Sequence, residues 1–154
     1  MILYGQAPAN SVVMSWRGAE GGRAAAALSV ESVMTPHNFC YFDYDQCLEE
    51  DPAEYPWFTH PLSLEKAYSY EPLDGIPAEQ HRFVLGGQCC NWAEFTCNES
   101  ELQWKMWPRA CATAEIFWSP AACRNFDDFR RRLEVHRRRL LDRHVNCASL
   151  ERVW

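Results

Sequence analysis

Apolar positions along this chain fall into short runs, each cut off by glycine or proline. Ser11–Trp16 (SVVMSW) is a short apolar run with β-branched residues and fits a buried strand. Gly18, Gly21 and Gly22 break it, and Arg23–Ser29 (RAAAALS) reads as a short helix whose small side chains can pack close to a sheet. Ser32–Thr35 is a second short strand, stopped by Pro36. His37–Pro61 is aromatic and acidic, has no clear period, and reads as a long loop. Leu62–Tyr70 looks helical and is closed by Pro72, and Arg82–Gly87 (RFVLGG) is a third strand. Asn98–Trp118 reads as helix, which Pro108 must kink or split. Phe126–His144 is an amphipathic helix with Phe126, Phe129, Leu133, His136 and Leu140 on one stripe and arginines on the other faces.

Strands that alternate with helices imply an α/β fold with parallel strands and right-handed crossovers. Three short parallel strands cannot close a barrel, and two strand edges are left bare. The pattern therefore predicts a piece of a larger α/β fold.

Composition narrows the classes. The chain has 154 residues, 47% hydrophobic and 23% charged, which suits one globular unit and excludes a disordered or low-complexity chain. No apolar run approaches about 18 residues, so no membrane span is expected. The first residues, MILYGQAPANSVV, lack the basic start, apolar stretch and cleavage site of a signal peptide, so the chain as it stands reads as cytoplasmic. The net charge is −6, with the basic excess confined to Arg124–Arg143, a solvated helix face. That argues against nucleic acid as a partner.

Eight cysteines form no C-x-x-C pair, and no histidine follows at zinc-finger spacing, so neither a metal nor a cofactor is expected. Cys89 and Cys90 point opposite ways if they lie on a strand. Buried thiols are the expectation. Asn98-Glu99-Ser100 matches a glycosylation sequon, but Glu101 three residues after Asn98 reads better as a helix-capping box.

The chemistry gathers where strands end. The first exit holds Trp16-Arg17-Gly18. The second holds Asn38 through Asp45, with Tyr41, Asp43 and Tyr44, and the third holds Gln88 through Glu94, with Trp92. In parallel α/β folds ligands bind beyond the carboxyl ends of strands. Aromatic walls suit the apolar faces of a pyranose, and carboxylates accept from its hydroxyls. The seven tryptophans fit that reading.

Val13 through Gly18, followed by Glu20-Gly21-Gly22, resembles the sixth-strand exit of family 20 glycoside hydrolases, the β-N-acetylhexosaminidases. Val33-Met34-Thr35-Pro36 with Tyr41-Phe42-Asp43 is similar to the seventh exit. Leu85 through Gln88 with Trp92-Ala93-Glu94 is similar to the eighth. Trp107-Pro108-Arg109, Ala114-Glu115 and Trp118-Ser119 resemble the closing barrel helix. The resemblance implies a partial (β/α)8 TIM barrel, with residues 1–154 forming the C-terminal part of the catalytic domain, strands six to eight with their helices plus a trailing helix.

It further implies retaining hydrolysis of terminal N-acetylglucosamine or N-acetylgalactosamine, with the substrate's 2-acetamido oxygen as nucleophile. On this resemblance Tyr41 aims the acetamido group, Trp16 and Trp92 wall the pocket, Glu94 accepts from sugar hydroxyls, and Asp43 lies near the sugar rim. The family's Asp-Glu acid pair has no counterpart, since the chain contains no Asp-Glu dipeptide. Inactivity alone is therefore expected, together with a partner chain carrying the missing barrel strands. Two other classes stay open. One is a cysteine protease built on Cys89 or Cys90 with His136 or His144, and the other is a non-catalytic sugar-binding remnant.

Overall fold

The computed structural model describes residues 8, 10–47 and 61–151. Three strands, β1 (Val12–Ser15), β2 (Glu31–Met34) and β3 (Val84–Gly87), form one parallel sheet in the order β1-β2-β3. The α/β expectation with parallel strands holds, and the outer edges of β1 and β3 have no strand beside them among the described residues.

Helix α1 (Glu20–Ala27) joins β1 to β2. It begins three residues earlier than expected because Gly21 and Gly22 lie inside it. Gly22 faces the Met34 side chain so closely that a Cβ there would collide with the Met34 sulfur. The glycines therefore bring the helix down onto the sheet. The helix stops at Ser29, which takes φ 60 while Val30 N–H donates to Ala25 O at 2.9 Å, the hydrogen-bond pattern of a Schellman cap.

The long loop is partly ordered: α2 (His37–Cys40) follows Pro36 directly. Residues 48–60 of that loop lie outside the described residues. Helix α3 (Leu64–Tyr68) is shorter than expected, with Ser63 Oγ capping the Lys66 N–H at 3.2 Å. The third strand also starts later than expected. Pro77 opens a 3-10 turn over Ala78–Phe83 that absorbs Arg82 and Phe83. Pro108 splits the next helix into α4 (Glu99–Met106) and α5 (Arg109–Trp118). Asn98 acts as the cap: its Oδ1 accepts the Glu101 N–H at 2.9 Å. Glu101 reaches back one residue further than in a standard box, to Cys97 N–H at 2.8 Å.

Helix α6 (Phe126–Asp142) buries Phe129, Leu133 and Leu140. His136 is exposed, which corrects the expected stripe. Arg137 takes that turn instead, donating from Nε to Ala148 O at 3.0 Å, so the arginines are not all a solvated face.

Only one sheet face is covered. α1 lies on β1 and β2, α5 lies on β3, and Met34, Phe42, Leu64, Ile116, Phe129 and Leu133 form the core behind them. On the other face Val12, Met14 and Leu85 are 47%, 45% and 56% exposed. β3 also carries a bulge. Ser32 pairs with Val84, but Val33 pairs with Gly86 and Met34 with Gly87, which leaves Leu85 over. Gly86 adopts φ 142 there, a conformation that side-chain-bearing residues rarely take.

Candidate functional site

The strand ends are stitched sideways beyond the sheet proper. His37 N–H donates to Trp16 O at 2.8 Å, and Gln88 N–H donates to Met34 O at 3.1 Å. Tyr41 then forms an isolated parallel bridge with Cys90. Phe42 N–H donates to Cys90 O at 2.6 Å and Cys90 N–H to Cys40 O at 2.8 Å. The loops after β2 and β3 are thereby held as one surface.

Tyr41 is buried on that surface. Its ring centroid lies 6.2 Å from Trp92, tilted by 42°, and 6.2 Å from both His37 and Tyr44. His37 Nδ1 and the Tyr44 hydroxyl are 2.9 Å apart. Burial raises the Tyr41 phenol above its ordinary range, and a hydrogen bond with the Trp92 side chain works against that rise. The hydroxyl therefore stays protonated and able to donate at neutral pH.

Asp43 is also buried. Desolvation pushes its carboxyl up, while backbone N–H groups of Asp43 and Trp92 and the positive charges of Arg109 and Lys105 hold it down. Its Oδ1 has no hydrogen-bond partner among the described residues. A buried carboxylate oxygen left without a donor is costly, and an incoming hydroxyl would relieve that cost.

The structure thus brings Tyr41, Asp43 and Trp92 together. Trp16 stands apart at the β1 exit, 46% exposed, with the Arg17 guanidinium 4.8 Å from its ring centre, and reaches the others through His37. Glu94 is exposed on the 3-10 turn Ala93–Phe95 after Trp92, and its carboxylate has no partner among the described residues.

Sequence reasoning passed over the support beneath these side chains. Arg109 and Lys105 are both fully buried behind the loop. The signal available was a lone cation at the head of a run of small residues, Arg109-Ala110-Cys111-Ala112, where an amphipathic surface helix would carry several. All eight cysteines are thiols, and burial raises Cys89 and Cys90, so neither is poised as a nucleophilic thiolate. Among the described residues no three acids, histidines or cysteines are grouped as a metal site, and no helix is long and apolar enough to cross a membrane.

The large cavity lies elsewhere. A groove of about 1220 Å³ runs beside the unpaired edge of β3, between α5 and α6, lined by Gly87, Phe117, Trp118, Leu133 and Arg139 among others. Gly87 shapes it, since Phe117 occupies the space a Cβ would need.

The family model for the glycosyl hydrolase family 20 catalytic domain matches residues 1–121. A β-hexosaminidase from Porphyromonas gingivalis is 40% identical over 136 residues, 86% of this chain and 17% of that protein. The human β-hexosaminidase subunit beta is 36% identical over 100 residues, 62% of this chain and 18% of that protein. The crystal structure of an exo β-N-acetylglucosaminidase from Vibrio harveyi, in complex with N-acetylglucosamine, superposes with a TM-score of 0.80 at 32% identity. That match covers 90% of this chain and 22% of the other. The chain therefore spans less than a quarter of the length of each of these relatives. Sequence and backbone agree from the first strand to the closing helix, and the chain belongs to glycosyl hydrolase family 20.

Proposed function

We propose that this chain is the C-terminal part of a β-N-acetylhexosaminidase barrel, strands six to eight, and forms one wall of a site for terminal N-acetylglucosamine or N-acetylgalactosamine. The observation that carries the reading is the joint placement of Tyr41, Asp43 and Trp92. Three residues from two strand exits present an aromatic pair, a protonated hydroxyl and an unsatisfied buried carboxylate oxygen side by side.

In this reading the sugar's 2-acetamido oxygen is the nucleophile. Tyr41 donates to that oxygen and aims it at the anomeric carbon. Trp92 and Trp16 cover the acetamido group and the ring face. Asp43 and Glu94 accept from hydroxyls remote from the breaking bond. Attack closes an oxazolinium ring and the glycosidic oxygen leaves with a proton from a general acid. Water then opens the ring with retention. This chain contains no Asp-Glu dipeptide to serve as that acid, so the acid comes from a partner portion of the barrel. The unpaired β3 edge and the groove beside it are the docking place for that portion, offering a free hydrogen-bonding edge and apolar lining.

The test is complementation. The chain alone should leave a chromogenic N-acetylglucosaminide uncleaved, because loss of a general acid typically costs about 10²–10⁴-fold. Supplying the N-terminal barrel portion of a relative, as a fusion or a second chain, should bring turnover. Tyr41→Phe should then lower kcat by roughly 10²-fold with little change in KM, the loss expected for a donor aimed at developing charge. Clear turnover by the chain alone, or a silent Tyr41→Phe in the complemented enzyme, would overturn the assignment.

A further inference from the structure

We infer that Arg109 is a positioning residue for the sugar site, its buried guanidinium holding the Phe42–Asp45 segment by the backbone carbonyls so that Tyr41 and Asp43 stay facing Trp92. The inference deepens the sugar-site reading and rests on it.

The geometry is specific. Arg109 is 0% exposed. Its Nη2 donates to Phe42 O at 2.7 Å and to Lys105 O at 2.7 Å. Its Nη1 donates to Tyr44 O at 2.8 Å and Leu62 O at 3.0 Å, and lies 3.5 Å from Asp45 O. The guanidinium carbon sits 4.8 Å from the centre of the Phe42 ring, which is itself fully buried. Phe42 is thus gripped from two sides: its N–H by the Cys90 carbonyl and its carbonyl and ring by Arg109. The two residues flanking it in sequence are Tyr41 and Asp43.

Buried carbonyls need donors, and no strand ladder supplies them in this loop. A planar fork with five N–H groups can serve carbonyls that diverge in direction, whereas the single ammonium of lysine cannot serve them all. The fork also ties the loop to α5, which packs against β3, so the site's two halves share one support. Asp43 reads the same group electrostatically: Arg109 and Lys105 are the cations facing it, with Tyr41, Tyr44 and Cys90 as neutral titratable neighbours.

Amide hydrogen exchange on the full chain tests the tether without any sugar. In Arg109→Lys, which keeps the charge and loses the fork, exchange at Phe42, Cys90 and Leu62 should accelerate at least about ten-fold while β1 and α1 amides keep their rates. Leu133→Ala serves as the control, since it weakens the core remote from the loop. Acceleration spread evenly along the chain, as in that control, would reduce Arg109 to a stability residue and overturn the inference, as would unchanged exchange in Arg109→Lys. A second arm uses the complemented enzyme. There Arg109→Lys should lower kcat/KM by at least about ten-fold at saturating partner, and wild-type activity with an unaffected Arg109→Lys refutes the positioning role. If the wild-type complemented enzyme is inactive although exchange changes locally, the sugar reading fails and the tether stands, so the two failures are separable.

Discussion

Replacing Tyr68 by Phe isolates one hydrogen bond that ties three helices. The Tyr68 hydroxyl donates to Glu115 Oε1 at 2.8 Å. Glu115 accepts Arg132 Nη2 on both oxygens at 2.9 and 2.8 Å, and Arg132 Nε donates to Asp128 Oδ2 at 2.7 Å. The bond therefore links α3 to α5 and, through Arg132, to α6. Phenylalanine keeps the ring contacts with Phe126 and Phe129, at 5.2 and 4.7 Å between centroids, and removes only the donor.

A hydrogen bond to a charged acceptor contributes about 1.5–3 kcal/mol. The hydroxyl's acidity gives a second route to the number. Burial, and then the Glu115 carboxylate, push the Tyr68 pKa up from 10.0 to about 12. The residue is 9% exposed, so solvent screens that shift little. Two pKa units correspond to about 2.7 kcal/mol of preference for the protonated form. Because the folded-state value is raised, the contribution is complete below pH 10 and lost as pH climbs through about 12. Tyr68→Phe should cost about 2 kcal/mol at pH 7 and at pH 9, and the gap should halve by about pH 11. Urea unfolding followed by far-UV circular dichroism, at one fixed protein concentration, reads this directly, since every other titration is common to the two proteins. A gap below about 0.5 kcal/mol at pH 7, or one that stays level from pH 9 to 11, would refute the reasoning.

Three further outcomes follow from burial and edges. Cys97 and Cys123 are exposed and should react first with Ellman's reagent. Cys111 and Cys147, raised by burial to about 12 and about 11, should react only on unfolding, and early labelling of either would contradict the packing. Leu133→Ala should destabilise the fold by about 3–4 kcal/mol in urea titrations, and a cost under about 1 kcal/mol would mean that α6 is not docked as described. The bare edges of β1 and β3, with Val12, Met14 and Leu85 exposed beside them, should make the chain self-associate. Sedimentation velocity across a concentration series checks it, and a monomer throughout would count against it.

The strands were legible because short β-branched runs between glycines and prolines admit few other readings, and Pro108 split its helix where a missing N–H and a ring clash require. The carboxyl-end clustering of Tyr41, Asp43 and Trp92 was legible as strand-exit chemistry, since it needs only strand direction. Their mutual contact was not, because the Tyr41–Cys90 bridge joins residues far apart in sequence and has no local signature. His136 illustrates a phase error: at that turn Arg137 lies inward, its aliphatic stem buried and its head on Ala148 O. Arg109 was quoted in a motif without a task. A buried cation reads as an anomaly until the carbonyls it serves have been placed around it.

The bulge in β3 makes this segment sensitive to length in a way it is not to identity. One surplus residue sits between the Ser32–Val84 and Val33–Gly86 pairs, so Leu85 and Gly86 together oppose a single residue of β2. In a strand each added or lost residue exchanges inside for outside. Deleting Leu85 or Gly86 would restore regular pairing and, in doing so, pull the following chain back by one position. Cys90 would leave Tyr41, and Trp92 would be carried away from the ring it now meets. A single-codon deletion here therefore acts on the far loop as a rotation of every side chain by half a turn, while most substitutions at the same codons leave the count intact.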